Sequence, residues 1–487
     1  MDTAIPFLTR PRPLLLLSSG MSALGLAFPS LFFLGLFGLS GFFYLLWFKT
    51  DSWRDALGYS FVYSFFTAAS SIWWFLDALP IDWLGIHDPY TQAYAVYIMW
   101  IYVAFSLALP AALVSSALWF LRINIFGPIA GALVWTIAEE ARMWGFAIAN
   151  WGEQSLMGPH FSTASAGYAL AENSYLLQLA SLGGLAILNF TVALGAGFLA
   201  YLIHARLRGK AAIISGILLA MLLVLPLFLR TPEIHSTSSV RIAVISTNQE
   251  REKYDPANIF SLLTRIAEEN LAPDMIILPE GHGLRGVYKD LNENQTRSEL
   301  QKLFGDEKEV LILHGIKAKL FYESTTRGII GTYDKLFLMP IGEYAPYSVT
   351  SLFSVAQDAS LDRYMAQVGK ILERGEGLVP FSYKGLTFGA LLCSDIISPR
   401  LYGTLGDDGA QVLIGLSNLS WFHRSEMLSE KTLQFAKVHA VRNRAYFINS
   451  VNDSPSFIIN PKGEVLNTTE WGTDSVIYID IPVPSAE

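Results

Sequence analysis

Phe388-Gly389-Ala390-Leu391-Leu392 runs straight into Cys393-Ser394-Asp395, an apolar stretch of strand length that stops at a polar turn. Similar short runs rich in β-formers surround it: Val240–Ser246, Met275–Leu278, Val310–Leu313, Ile329–Tyr333, Val412–Ser417, Ala445–Val451 and Phe457–Ile459. Ile259–Asn270 and Glu430–Asn443 have helical spacing. The mixture predicts one layered α/β domain over residues 231–487, with sheets covered by helices.

The chain before it is chemically different. Of 34 basic and 42 acidic residues in 487, ten of each precede residue 231, so the second half alone carries the net charge of −8. An acidic balance there argues against nucleic acid as a partner. Overall 52 % of residues are hydrophobic and 16 % charged, against about 25 % charged in ordinary soluble chains. Apolar runs lie at Leu14–Phe28, Leu31–Phe48, Ala56–Leu76, Tyr94–Leu121, Phe126–Ile148, Leu176–Ile203 and Ala211–Leu229. They predict a bundle of seven membrane spans over residues 1–230. Pro110 kinks the fourth run without splitting it, since no polar loop flanks it. A cleavable leader is the alternative for the first run, but another span follows at once.

With the amino terminus inside, the inner segments hold Arg10, Arg12, Lys49, Arg54, Arg122, Arg206, Arg208 and Lys210. The outer loops hold Asp77, Asp82, Asp88, Glu153 and Glu172 and no basic residue. This bias predicts a cytoplasmic amino terminus and an extracytoplasmic second half. Glu139, Glu140 and Arg142 interrupt the fifth run, with Trp151 at its outer end. Two readings stand open for Glu139 and Arg142: an i,i+3 ion pair holding the bundle, or a hold on a lipid headgroup.

Cys393 is the single cysteine, so it forms no disulfide within the chain. Buried filler is the bland reading of a lone thiol. Its place at a strand end, on a turn, is also how nucleophiles are presented to acyl groups. Glu280 ends the Met275 strand, Lys335 follows Tyr333-Asp334 at another strand end, and Glu343 lies eight residues later. A carboxylate that takes the thiol proton, a thiolate that attacks and an ammonium that steadies the oxyanion suffice for acyl transfer.

The Glu280, Lys335 and Cys393 pattern resembles the carbon–nitrogen hydrolase (nitrilase) superfamily. With the preceding runs it resembles the apolipoprotein N-acyltransferase family of the bacterial inner membrane. Matching blocks are "GLAFPS" at 25–30, Glu139, Arg142 and Trp151 around the fifth span, and "QLASLGG" at 178–184. Further matches are "YDKLFLMPIGEYAP" at 333–346, "SNLSWF" at 417–422 and "NPKGEV" at 460–465. The resemblance implies a nitrilase-like αββα sandwich behind the membrane bundle, on its periplasmic side. It implies ping-pong acyl transfer from a phospholipid, phosphatidylethanolamine foremost, through a Cys393 thioester. The acceptor is the amino group of an S-diacylglyceryl cysteine at a lipoprotein amino terminus, and no cofactor takes part. Glu280 is then the base, with Lys335 and Glu343 supporting the tetrahedral intermediate. Tyr254, Ser394, Asp395, Asn418, Trp421, Glu139, Arg142 and Trp151 are candidates for substrate contact, and the stretch near Leu352 and Phe353 resembles a lid.

The chain departs from the family at Ser394 and Asp395, where a large aromatic and a glutamate are usual. It also departs at Leu419 for an aspartate, at Tyr254 for a tryptophan, and at Ile477–Glu487, where members carry a last membrane helix. Two alternatives stay open: a membrane-tethered amidase that hands the acyl group to water, and a relative that has lost catalysis. The G-x-G-x-x-G at 281–286 follows a strand but lacks the setting of a nucleotide site. The histidines lack metal-binding spacing, and Asn294, Asn418 and Asn467 fit glycan acceptor patterns by chance.

Overall fold

The computed structural model describes residues 10–82, 86–121, 126–205, 210–229, 236, 238–250, 255–269, 273–281, 284, 292–356 and 372–484. Tyr254 and most of the 281–286 glycine motif lie outside the described residues. The chain divides into two compact units: Met1–Trp151, Met157–Arg230 and Pro346–Asp358 in one, Gly152–Leu156, Thr231–Ala345 and Ala359–Glu487 in the other.

Each of the seven apolar runs of the first unit carries a helix: α1 (Pro11–Ala27), α2 (Phe32–Phe48), α3 (Trp53–Ser71), α4 (Pro89–Ser115), α5 (Gly127–Ala149), α6 (Ala180–Ala205) and α7 (Lys210–Val224). Among the described residues only Pro29–Phe48, Pro89–Leu121 and Ala180–His204 are long and apolar enough to cross a membrane by themselves. The others fall short for identifiable reasons: α1 has 17 residues and α7 has 15, while α3 begins with Arg54 and Asp55 and α5 carries Glu139, Glu140 and Arg142. Pro110 sits inside the continuous α4. Gly145 lets α5 approach α4 at Pro110, since a Cβ there would stand 2.4 Å from both Ser106 O and the Pro110 ring. Gly184 takes φ +60° and breaks α6 in its first turns, a conformation only glycine adopts readily. Along α5, Leu133, Ile137 and Ile148 are exposed whereas Glu139 and Arg142 are buried. Apolar side chains outside and ionisable ones inside invert the rule for water-soluble helices and fit a lipid surround.

The second unit is a four-layer sandwich. One sheet runs β12-β1-β2-β3-β4-β5 and the other β11-β10-β9-β8-β7-β6. The first sheet comprises β1 (Ser238–Ser246), β2 (Met275–Glu280), β3 (Leu311–Ile316), β4 (Lys319–Ser324), β5 (Gly328–Asp334) and β12 (Ser475–Val483). The second comprises β6 (Phe381–Tyr383), β7 (Leu386–Leu392), β8 (Val412–Asn418), β9 (Tyr446–Asn452), β10 (Phe457–Ile459) and β11 (Val465–Thr468). Helices α8 (Pro256–Glu268) and α9 (Glu293–Phe304) cover the first sheet, with Ile259, Leu263 and Leu300 packed on Ile276 and Ile312. A short helix α10 (Tyr347–Ala356) follows the lysine segment and packs with the first unit. Helices α11 (Pro399–Asp407) and α12 (Glu426–Asn443) cover the second sheet, where Tyr402 donates to Ile414 O at 3.1 Å. Between the sheets Ser450 Oγ donates to Ile245 O at 2.7 Å.

β1, β2 and β3 are parallel, as are β7, β8 and β9. β5 points the same way as β3, because β4 is antiparallel to both. A parallel bridge from Thr247 to Asn452 ties the two sheets at their carboxyl ends. Residues just beyond β2, β5, β7, β8 and β9 therefore gather at one end of the sandwich.

Candidate active site

That end holds Glu280, Lys335 and Cys393. Glu280 is the last residue of β2, and Gly281 N donates to Gly315 O at 2.8 Å, which closes the strand end against β3. Lys335 follows β5; its N–H donates to Ala318 O at 2.8 Å. Cys393 follows β7 and is only partly buried, with φ at +45°. A non-glycine residue in that left-handed region carries backbone strain, and strained nucleophile turns hold a reactive side chain clear of the sheet.

The thiol and the Glu280 carboxylate are hydrogen-bonded to one another. Lys335 is 1 % exposed and its Nζ donates to Glu343 Oε1 at 2.7 Å. The second oxygen of Glu343 accepts from Met339 N at 2.6 Å, so this carboxylate is fixed at both ends. Burial lifts the Glu280 pKa above the ordinary carboxylate value; Lys335 opposes the shift and Glu343 adds to it. Burial also pushes the Cys393 thiol up, with Glu280 and Glu343 adding to it against the pull of Lys335. Burial alone would pull the Lys335 pKa down, yet Glu343, Cys393, Glu280 and Asp395 hold it above its usual value. The site thus sets the Glu280 carboxyl and the Lys335 cation beside a neutral thiol. Such a group can lose its proton to Glu280 as it attacks, and the cation is placed for developing negative charge.

Ser394 and Asp395 are held inward. Asp395 is fully buried: Oδ1 accepts from Phe337 N at 2.8 Å, and Oδ2 from Tyr333 OH at 2.9 Å and Leu392 N at 3.2 Å. Ser394 Oγ donates to Phe337 O at 2.6 Å. Both residues tie the Cys393 turn to the lysine segment. Burial raises Asp395 to about 6, against Lys335 and the hydrogen bonds it accepts. Tyr333 lies within the "YDKLFLMPIGEYAP" block yet is absent from the sequence-derived candidates; its hydroxyl also accepts from Leu336 N at 3.1 Å. Its place two residues before Lys335 was the available signal.

Asn418, at the end of β8, lies beside the Glu280 strand end: a Cβ on Gly281 would be 3.1 Å from its Nδ2. Its Oδ1 is taken by Ser420 Oγ at 2.7 Å and Asn452 Nδ2 at 3.0 Å. Trp421 stands on the next turn, 37 % exposed. Glu139, Arg142 and Trp151 belong to the other unit. There Arg142 Nε donates to Glu139 Oε2 at 3.2 Å, and Trp151 packs edge-on against Tyr347, whose N–H donates to Trp151 O at 2.8 Å. The stretch at Leu352 and Phe353 lies on α10, and its side chains are outside the described residues.

Residues 311–487 match the carbon–nitrogen hydrolase family. The match begins after Glu280. The chain resembles apolipoprotein N-acyltransferases over most of its length. It is 26 % identical to one from Pseudomonas aeruginosa over 463 residues, 90 % of this chain and 81 % of that one. It is 25 % identical to one from Pseudomonas putida over 73 % of this chain and 69 % of that one. One from Agrobacterium fabrum is 24 % identical over 86 % of this chain and 78 % of its own. Among solved structures, a variant amidase from Nesterenkonia sp. AN1 with an acetamide moiety on its active-site cysteine is 15 % identical. That alignment covers 52 % of this chain and 93 % of the amidase, with a TM-score of 0.35.

Proposed function

We propose that this chain moves an acyl chain from a phospholipid, phosphatidylethanolamine foremost, to the amino group of an S-diacylglyceryl cysteine at a lipoprotein amino terminus. The observation that carries the reading is the convergence of Glu280, Lys335 and Cys393 at one end of a carbon–nitrogen hydrolase sandwich whose chain begins with membrane-length apolar helices. A hydrolase of soluble amides has no need of such a bundle. In the first half-reaction Glu280 takes the thiol proton while Cys393 Sγ bonds to the ester carbonyl carbon. Lys335, held by Glu343, faces the oxyanion. The carbon–oxygen ester bond breaks, and the leaving alkoxide takes the proton from Glu280, so lysophospholipid departs. In the second half-reaction the amine attacks the thioester and loses its proton to Glu280. The carbon–sulfur bond breaks, and the proton returns to sulfur. The loop charges support a reading with the amino terminus in the cytoplasm and the sandwich in the periplasm, the side on which the outer leaflet presents both lipids.

The test is the intact mass of the detergent-solubilised protein after incubation with phosphatidylethanolamine. A gain of one acyl chain that hydroxylamine removes, absent in Cys393→Ala, is expected. Lysophospholipid release without a persistent adduct, and without N-acylation of a diacylglyceryl peptide, would assign the acyl group to water and make the protein a membrane-tethered hydrolase. The absence of both the adduct and lysophospholipid release would overturn the reading.

A further inference from the structure

The unit of apolar helices holds a second polar centre that the proposed chemistry leaves unused. Trp135, Glu139 and Arg142 stand at i, i+4 and i+7 on α5, which puts them on one stripe of the helix. Each is at most 2 % exposed, and all three line one cavity. Its remaining walls include Leu26, Leu39 and Val192, and the hydroxyls of Ser22 and Tyr63, which satisfy each other at 2.6 Å. The Glu139–Arg142 pair engages one atom of each partner, and the backbone N–H of Ala166 also reaches the carboxylate. Glu139 Oε1, Arg142 Nη1 and Trp135 Nε1 remain buried without a hydrogen-bond partner among the described residues.

Three unmatched polar atoms on residues that line one apolar cavity are costly unless something meets them. Their identities restrict what can. The ion pair is neutral overall, and it offers two donors, on Arg142 and Trp135, and one acceptor, on Glu139. A phosphate or carboxylate brings acceptors only and sets a like charge against Glu139. An ammonium brings donors only and meets Arg142 with its own sign. A hydroxyl has one O–H to give and two lone pairs to receive, which matches the set atom for atom. We propose that this cavity binds a neutral hydroxyl, supplied either by a trapped water or by the free glycerol hydroxyl of a lipid. The occupant donates to Glu139 Oε1 and accepts from Arg142 Nη1 and Trp135 Nε1. The cavity has room for at least one water.

The test uses the full chain in nanodiscs of dioleoylphosphatidylcholine, a lipid without a free hydroxyl. X-ray hydroxyl-radical footprinting, read by mass spectrometry, reports oxidation at Trp135 against Trp47, which is equally buried but stands outside the lining. Oxidation of Trp135 several-fold above Trp47, unchanged by added lysophosphatidylcholine, supports a water occupant. Oxidation suppressed by lysophosphatidylcholine but not by its 2-O-methyl ether supports the lipid hydroxyl. Suppression by both compounds would mean that the cavity takes apolar chains, and no excess labelling with no lipid effect would mean that it stays dry; either overturns the proposal. Glu139→Gln, which replaces the acceptor with an amide, is expected to bring Trp135 labelling down toward Trp47. Because the first comparison uses the unaltered protein, a Glu139→Gln protein that fails to fold does not rescue or sink it.

Discussion

Two buried ion pairs, one in each unit, look alike by exposure and differ in everything else. Lys335 is 1 % exposed with Glu343 at 2.7 Å, and Arg142 is 2 % exposed with Glu139 at 3.2 Å. The Arg142 pair is made within a single helix and is electrically balanced. The Lys335 pair spans a loop, and two further acidic groups, Glu280 and Asp395, together with a thiol, bear on the same cation. A buried pair is weak evidence of either stability or chemistry. What marks a reactive site is a surplus of titratable groups converging on the pair from separate strands, each shifting the others. By that criterion the sandwich end is the candidate for the proposed reaction, and α5 is the candidate for packing and polar binding.

Removing the nucleophile tests the active side of this contrast most severely. Cys393→Ala is expected to lower acyl transfer by about 10⁴-fold or more, read as loss of the hydroxylamine-labile adduct, with the protein still folded because the thiol is only partly buried. Next come the two cations. Lys335→Met is expected to slow thioester formation by about 10²–10³-fold. Arg142→Met is expected to cost about 3–5 kcal/mol of stability by stranding Glu139, with transfer per folded molecule within a few-fold of the unaltered protein. Thermal melts in nanodiscs and single-turnover acylation measure both. If Arg142→Met stopped acylation without lowering the melting temperature, the division of labour would be wrong.

The fold was largely legible because its strands are short apolar runs and its first-unit helices are longer ones. Eight strands coincide with those runs, and Phe457–Ile459 agrees at both ends. Four strands were not visible. β4 starts and ends on polar residues, and the hairpin into it turns on Lys317 and Ala318 at positive φ, without the glycine or asparagine that signals such a turn. β11 is exposed along its whole length, so it has no buried face to impose alternation. β6 has only three residues, and β12 lies at an edge with most positions half-buried. In the site, strand ends locate Glu280, Lys335 and Cys393. Local spacing says nothing about where Asp395 points, because its partners Tyr333 and Phe337 are about sixty residues away in sequence. The left-handed backbone at Cys393 has no residue-type signal either, since glycine is the usual occupant of that conformation.

The acid side of the pH profile sharpens the assignment of the base. Glu280 must be ionised to take the thiol proton, and its pKa in the folded protein is raised, chiefly by burial. Activity is therefore full above that raised value and falls tenfold per pH unit below it. The limb is expected above the range of an exposed carboxylate, in kcat/KM for thioester formation. A rate that stays level down to the ordinary glutamate range would remove Glu280 from the role, and a Glu280→Gln protein that retained the same limb would transfer it to another group.

The smallest effect separates the two readings of the residues after the nucleophile. If Asp395 works by holding the Cys393 turn against the lysine segment, its Tyr333 partner matters without touching substrate. Tyr333→Phe removes the hydroxyl that donates to Asp395 Oδ2 and accepts from Leu336 N. Losing each such buried hydrogen bond costs about 0.5–1.5 kcal/mol; if about 1.4 kcal/mol of the combined loss falls on the alignment of thiol and ammonium, acylation slows about tenfold. The phospholipid KM stays unchanged, because the ring remains and the hydroxyl faces inward. Asp395→Glu lengthens the side chain by one methylene inside a closed set of three donors, so it should slow the same step and likewise spare KM. Were Asp395 instead a contact for the donor headgroup, Asp395→Glu would move KM with kcat intact and Tyr333→Phe would be silent. Two variants and one split of kinetic constants thus decide whether Asp395 acts on the enzyme's own nucleophile or on the substrate.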